Sequence, residues 1–479
     1  MTAVSAPGYS FACLIGGDET RGDAQFPVHY PFTGEQIGEA PLLSGDEIVR
    51  ALDLAANAPI GLDRHGRAEV LERVAATIAE QGEELSRLIT WESGLSLKDT
   101  RYEIRRATDV FRFAAMEALR DDGAVFACDT SANGRPRRAY TMREPVRLVA
   151  AITPFNHPLN QVAHKLAPAM AAGAPIVLKP SEKTPLAGLW LGRAILDAGW
   201  PAESLAVITG DRSKILDAML AHPAVEVVSF TGSVAVGHEI ARRLGYRRAV
   251  LELGGNDPLI VLSDADLASA AALAVAGATK NSGQRCTSVK RVIVEESVAD
   301  ELVARIEETA AQLVVGDPFD EATDVGTMID EEAAALVERR VRAAQSEGAR
   351  LRAGGARSGA LLEPPVVDDV TAGSALVREE TFGPAIPIVR VAGLDQALSV
   401  ANGTVFGLSA GIVSNDLASI TRCIRELRCG TVNVNEVPGY RTELTPFGGI
   451  KDSGLGVKEG VIEATRAMTT QKLFTLPWP

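Results

Sequence analysis

The candidate nucleophile of this sequence is the thiol of Cys286, in the stretch Asn281-Ser-Gly-Gln-Arg-Cys-Thr287. The thiolate, and not the thiol, attacks electron-poor carbon, so a nucleophilic cysteine needs surroundings that favour the anion. Arg285 puts a fixed positive charge next to it. An Ala-rich helical run from about Asp266 ends shortly before it, and the apolar strand Val292-Ile-Val294 follows. A lone cysteine is otherwise a small buried apolar residue, so partners elsewhere in the chain decide between the two readings. Glu252, in Glu252-Leu-Gly-Gly255, closes an apolar strand. Burial there would raise its pKa toward general-base range, whereas solvation would leave it idle. Asn156, in Thr153-Pro-Phe-Asn-His-Pro158, carries an amide that can donate to an oxyanion or simply form a turn.

Other stretches have the makings of a nucleotide site. Phe230-Thr-Gly-Ser233 leads from a strand into a helix, and a turn of small residues there frees backbone N–H groups for a phosphate. Ile208-Thr-Gly-Asp-Arg212 offers one glycine, Gly210, and the G-x-G-x-x-G fingerprint is absent. In Lys179-Pro-Ser-Glu182 a carboxylate at a strand end can accept from ribose hydroxyls and would repel a 2′-phosphate; a surface ion pair is the alternative. Glu379-Glu-Thr-Phe-Gly-Pro384 and Pro446-Phe-Gly-Gly-Ile-Lys-Asp-Ser-Gly454 are turn-rich loops. On a helical wheel Arg106 falls in a stripe with Tyr102, Val110 and Phe113. An arginine there needs a partner: a structural ion pair, snorkelling to solvent, or an anion held in a pocket.

These residues must be positioned by a chain of 479 residues, too long for one core. Short extended pieces occupy residues 1–45, and helical periodicity runs from Ser44 to about Leu119. A basic, strand-like arm spans Arg135 to Arg147. Apolar strands at about 148–153, 175–179, 205–209, 225–230 and 249–253 then alternate with helices. That pattern is the mark of a parallel sheet covered on both faces, with ligands at the carboxyl ends of its strands. A second α/β block follows from Pro258 to about Arg428, and the tail from Thr465 to Phe474 reads as a strand in need of pairing. The net charge of −14 argues against nucleic acid or a polybasic membrane anchor. Five scattered cysteines without a Cys-x-x-Cys pair argue for a reduced, cytoplasmic chain with no metal site. Neither a membrane span nor a signal peptide is evident.

Together the pieces resemble the aldehyde dehydrogenase superfamily over nearly the whole chain. Pro154-Phe-Asn156, Lys179–Glu182, Phe230–Ser233, Glu252–Gly255, Gly283-Gln-Arg-Cys286, Glu380–Pro384 and Pro446–Gly454 match its motifs in its order. Two features depart from it: Phe155 replaces the commoner Trp, and the usual second glycine after Gly210 is missing. The resemblance implies an α/β fold with three parts. These are a doubly wound Rossmann-type NAD domain (1–127 and 148–252), a catalytic domain (253–430), and a small β oligomerisation arm (128–147 and 465–479). Residues 431–464 would return to the cofactor domain. It also implies that Cys286 is the nucleophile, Glu252 the base that activates water on a thioester, and Asn156 the oxyanion donor. Thr153, Pro154, Phe155, Lys179, Ser181, Glu182, Gly210, Phe230, Thr231, Gly232, Ser233, Leu253, Gly254, Glu380 and Phe382 would bind the cofactor. Glu182 favours NAD, with NADP the less expected alternative. The family associates through such an arm, as a homodimer or homotetramer.

Arg285, Arg106, Arg441, His157 and Thr287 narrow the substrate. Three arginines converging on one tunnel are costly without an anion to pair with, and guanidinium forks match phosphonate, phosphate or carboxylate oxygens. The substrate expected is a small anionic aldehyde. Lys98–Glu103, Phe113–Gly123 and Thr153–Gln161 look closest to the phosphonoacetaldehyde-oxidising branch, and a shorter phosphonate aldehyde, phosphonoformaldehyde, is also open. Lactaldehyde or non-phosphorylating glyceraldehyde-3-phosphate oxidation, a CoA-acylating enzyme and a catalytically silent relative are the other readings. Glu252 speaks against the CoA branch, and intact Cys286, Glu252 and Asn156 against silence.

Overall fold

The structure, a computed structural model, describes residues 6–478 apart from Ile60 and Lys458. The first five residues and Pro479, which fall within the expected ranges 1–127 and 465–479, lie outside the described residues. The first large sheet has seven strands, in the order Arg248–Glu252, Val227–Thr231, Val149–Ile152, Ile176–Lys179, Leu205–Val207, Cys13–Ile15 and Asp18–Thr20. Its first five strands pair in parallel, and the Cys13–Ile15 and Asp18–Thr20 hairpin adds an antiparallel edge. Val149–Ile152 and Ile176–Lys179 are buried at every position, because helices cover both faces of a parallel sheet.

The second sheet also has seven strands: Arg350–Ala353, Val366–Asp368, Ile386–Val391, Val289–Glu295, Asp257–Val261, Ser409–Val413 and Thr431–Val434. Successive side chains along its strands point to opposite faces, and each face has its own core. Ile260, Ile293, Val389 and Ile412 enter one core, while Leu259, Val261, Val292, Val294 and Ile388 enter the other. Each such buried side chain is worth about 1.5–3 kcal/mol of transfer free energy, which is why these strands read as uninterrupted apolar runs. The sheet extends to Val434, past the division expected at residue 430.

Thr469–Pro477 pairs antiparallel with Arg137–Pro145, which also pairs with Val125–Ala127. The tail strand thus finds its partner within its own chain, and the arm sheet takes in three residues placed by sequence in the range 1–127. Among the described residues, no helix is long and apolar enough to cross a membrane.

The helix Leu97–Leu119 forms as expected, with the Ser96 side chain accepting from the Asp99 N–H at its N-terminus. Its buried face differs from the stripe expected. Ile104, Ala107, Val110, Phe111, Ala114 and Ala118 pack inward, while Tyr102 is 37% exposed. Arg106 flanks this apolar face, where it can reach a polar partner.

Candidate active site

Four consecutive parallel strands of the first sheet end at one cavity of about 420 Å³. Its wall takes Thr153, Pro154, Phe155 and Asn156 from the end of the first of these strands, and Lys179, Ser181 and Glu182 from the second. Phe230, Thr231, Gly232 and Ser233 come from the third, and Glu252, Leu253 and Gly254 from the fourth. Cys286, Glu380 and Phe382, on loops leading into the second sheet, close the opposite side. The two halves of the chain therefore meet at the cavity. All but one of the residues expected around a cofactor are in its wall. The exception is Gly210, which instead makes a bridge with Leu43 at the sheet margin. Arg212, which opens the helix Arg212–Ala221, lines the cavity where a second glycine was missing. Gln161 and Lys183 line it too, and neither was expected.

The polar groups fit a dinucleotide. Lys179 Nζ donates to Glu182 Oε2 at 2.7 Å, so the carboxylate is fixed beside a cation at a strand end. Burial opposes ionisation of Glu182, but Lys179 outweighs it and holds the carboxyl below its ordinary range. Thr153 Oγ1 and Gln161 Oε1 are buried in the wall without a hydrogen-bond partner, and a bound polar ligand would satisfy them. Ser233 immediately precedes the helix Val234–Arg243, whose free N-terminal amides favour an anion.

Cys286 is reached through an unusual turn. The helix Leu267–Thr279 ends seven residues earlier, and Asn281, Ser282 and Gly283 all adopt left-handed backbone conformations, at φ 56, 50 and 69°. Asn281 and Ser282 hold this conformation through contacts: the Asn281 N–H donates to Asp99 Oδ2 at 2.8 Å, and Ser282 Oγ to the Gly326 carbonyl at 3.1 Å. At Gly283 a Cβ would overlap the Gly383 backbone, so only glycine fits. Asn156 Nδ2 donates to the Gln284 carbonyl at 2.7 Å, which fixes its amide against the cysteine loop. Glu252, 2% exposed, shares the cavity wall with Cys286 and lies against the loop that contains Gly448.

The expected electrostatics of the thiol need correction. The preceding helix offers its C-terminus, which does not favour an anion. Burial pushes the Cys286 thiol up to about 11, and the foremost cation opposing this is Lys290, not Arg285. Lys290 was not anticipated because it lies in an apolar strand. It is buried, and its Nζ donates to the carbonyls of Gly255 and Cys286 at 2.9 and 3.0 Å and to Glu380 Oε1 at 2.8 Å. A second buried pair, Lys165 with Glu459, lies behind Thr231, whose hydroxyl accepts from Lys165 Nζ at 2.7 Å.

The residues expected to bind substrate do not line this cavity; they gather about the cysteine loop. Arg285 Nη2 makes one long contact, 3.5 Å to Thr287 Oγ1, and among the described residues has no carboxylate within 4 Å. Burial and the charge of Arg106 both pull its pKa down. Arg441 stacks 3.9 Å over the Phe447 ring, and its Nη1 is buried without a hydrogen-bond partner. Arg106 and Arg441 do not wait for a substrate anion, as their convergence implied. Both face Glu443, which accepts from Arg106 Nε and lies 3.9 Å from Arg441 Nη2. His157 is not open to a ligand either. Its ring is held between Glu103 Oε2 at 3.4 Å and Asn281 Nδ2 at 3.1 Å, and burial keeps it neutral. Lys280, another unanticipated cation, sits 3.2 Å from the centre of the Tyr102 ring, pushed down to about 8 by burial and Arg285.

Comparison with known proteins agrees with this geometry. Residues 19–474 match the model of the aldehyde dehydrogenase family. The chain is 37% identical over 467 residues to a 3-sulfolactaldehyde dehydrogenase of Priestia aryabhattai, covering 97% of this chain and 98% of that one. It is 36% identical over 410 residues to a sulfoacetaldehyde dehydrogenase of Neptuniibacter caesariensis, covering 86% and 90%. The solved NADP complex of the NADP-dependent glyceraldehyde-3-phosphate dehydrogenase from Bacillus halodurans C-125 superposes with a TM-score of 0.94 at 36% identity, covering 98% and 100%.

Proposed function

The chain belongs to the aldehyde dehydrogenase family, and from that premise we propose that it oxidises a small aldehyde with a tetrahedral anionic head. The observation that carries this reading is Arg285. A half-buried guanidinium that feels the charge of Arg106 and has no carboxylate within 4 Å among the described residues is well suited to pair with an anion. A phosphonate aldehyde, phosphonoacetaldehyde or phosphonoformaldehyde, suits this pocket. So does a sulfonate aldehyde, and the named substrates of the relatives carry sulfonate or phosphate heads.

The residues divide the work as follows. Cys286 loses its proton to solvent, and its Sγ bonds to the aldehyde carbon. The oxyanion that forms is held by the Cys286 N–H and by the Asn156 amide, whose second N–H is left over once Gln284 is satisfied. A nicotinamide dinucleotide held by the cavity wall would supply the hydride acceptor, and oxidation of the Cys286 adduct yields a thioester on that residue. Glu252 then removes a proton from water as the water attacks that thioester, and the acid departs with the thiol restored. Thr153, Phe155, Thr231, Gly232 and Ser233 would hold the cofactor, with Glu380 and Phe382 at its reactive end and Lys179, Ser181 and Glu182 at the other. Glu182 supports NAD over NADP, because a fixed carboxylate repels a 2′-phosphate. The cations Lys183 and Arg212 on the same wall act in the opposite sense and make the preference moderate.

One panel tests the reading: kcat/KM for phosphonoacetaldehyde, phosphonoformaldehyde, sulfoacetaldehyde, glyceraldehyde 3-phosphate, lactaldehyde and propionaldehyde, each with NAD and NADP. Anionic aldehydes should lead by more than tenfold; propionaldehyde performing as well as the best of them would end the proposal.

A further inference from the structure

Around the cysteine loop stand three guanidinium groups; Asp99 holds the loop's backbone, and Glu443 faces two of the arginines. Glu443 is 4% exposed and pairs with Arg106 and Arg441. One oxygen accepts from Arg106 Nε; the other accepts from His164 Nε2 at 2.5 Å and faces Arg441 Nη2 at 3.9 Å. His164 is wholly buried on the helix Asn160–Ala172; burial lowers its pKa, and Glu443 opposes this. Burial alone would protonate Glu443, but Arg106 and His164 hold its carboxyl well below the ordinary range. Its charge is therefore a constant feature of the pocket. The same loop approaches the third arginine. A Cβ at Gly439 would lie 2.8 Å from Arg285 Nη2. Arg285 in turn registers the charge of Arg106, and Cys286 registers that of Arg441.

We infer that Glu443 is a specificity-determining positioning residue: its fixed negative charge, set among Arg106, Arg441 and Arg285, limits how far the pocket favours a doubly charged over a singly charged head group. The inference rests on the anionic-aldehyde reading above. The reason is electrostatic. Removing one negative charge raises the potential at the head group, and a dianion gains twice what a monoanion of the same shape gains. A loosening that moved the arginines away would lower that potential and reduce the ratio, the opposite sign from the one expected.

Phosphonoacetaldehyde and sulfoacetaldehyde form such a pair, since at about pH 8 the phosphonate is doubly charged and the sulfonate singly charged. The measurement is the ratio of their kcat/KM values in wild type, Glu443→Gln, Glu443→Asp and Arg106→Gln, with propionaldehyde as the uncharged control. Glu443→Gln should raise the phosphonate-to-sulfonate ratio roughly three- to tenfold, mainly through KM. Glu443→Asp keeps the charge and should keep the wild-type ratio. Arg106→Gln carries the opposite sign and should lower the ratio, which provides a test that survives if Glu443→Gln does not fold. A ratio unmoved in Glu443→Gln, or in Arg106→Gln where only that variant folds, overturns the assignment while the anionic preference of the wild type stands. If wild type uses propionaldehyde as well as both anions, the anionic reading fails and this inference falls with it.

Discussion

The thiol of Cys286 begins its cycle protonated. Burial raises it to about 11, and Lys290 is the foremost group holding it from rising further. Below that value the thiolate fraction climbs about tenfold per pH unit. Alkylation of the cofactor-free enzyme by iodoacetamide should therefore accelerate steadily from pH 7 to pH 10. Lys290→Met should slow it at every pH in that range; a rate that levels off near pH 8 would show the thiol to be more acidic than its surroundings imply. Arg285→Ala should cost about 1.5–3 kcal/mol of binding for an anionic aldehyde, the worth of hydrogen bonds to a charged group, and almost nothing for propionaldehyde. Steady-state KM values for the two substrates decide it. That Cys286, Glu252 and Asn156 stand at strand or loop ends could be read from the sequence, and the structure brings all three to one cavity wall. Glu443 could not be: its tie to Arg106 spans 337 positions and no local pattern announces it. Lys290 was hidden by its strand, where alternation suggested only apolar burial.

At the scale of elements, the parallel strands could be read from the sequence because burial on both faces leaves continuous apolar runs. The turn before Cys286 could not, since its three successive left-handed residues depend on hydrogen bonds donated to distant Asp99 and Gly326. The helix Leu97–Leu119 was found, but its inward face was misassigned. Alanines at 107, 114 and 118 pack against neighbours as closely as larger residues do and leave little trace in an apolar stripe. Gly283→Ala tests what the turn contributes. It places a side chain at positive φ and against the Gly383 backbone, a strain on the order of 1–3 kcal/mol. The variant should keep its far-UV circular dichroism and lose Cys286-dependent turnover by at least tenfold; unchanged turnover would show that the loop can be rebuilt without glycine.

At the scale of the molecule, the arm sheet leaves large apolar side chains in solvent: Val125, Phe126 and Met142 on two of its strands, Leu473 and Leu476 on the third, and Trp478 just beyond. Such a patch is characteristic of an interface, which supports a homodimer or homotetramer built through the arm. Replacing Phe126 and Leu473 together by Asp should reduce the mass seen by light scattering to about 50 kDa, that of one chain. A variant that keeps the wild-type mass would place the interface elsewhere.

The position of the cavity between the two large sheets has a practical consequence. Asn156 and Glu252 are carried by the first sheet, and Cys286 by the loop leading into the second. Turnover is therefore a gauge of how closely the halves are docked, more sensitive than any measure of helix or strand content. In rising urea the enzyme should fall silent, and Cys286 become quick to label, while its circular dichroism spectrum is still that of the native protein.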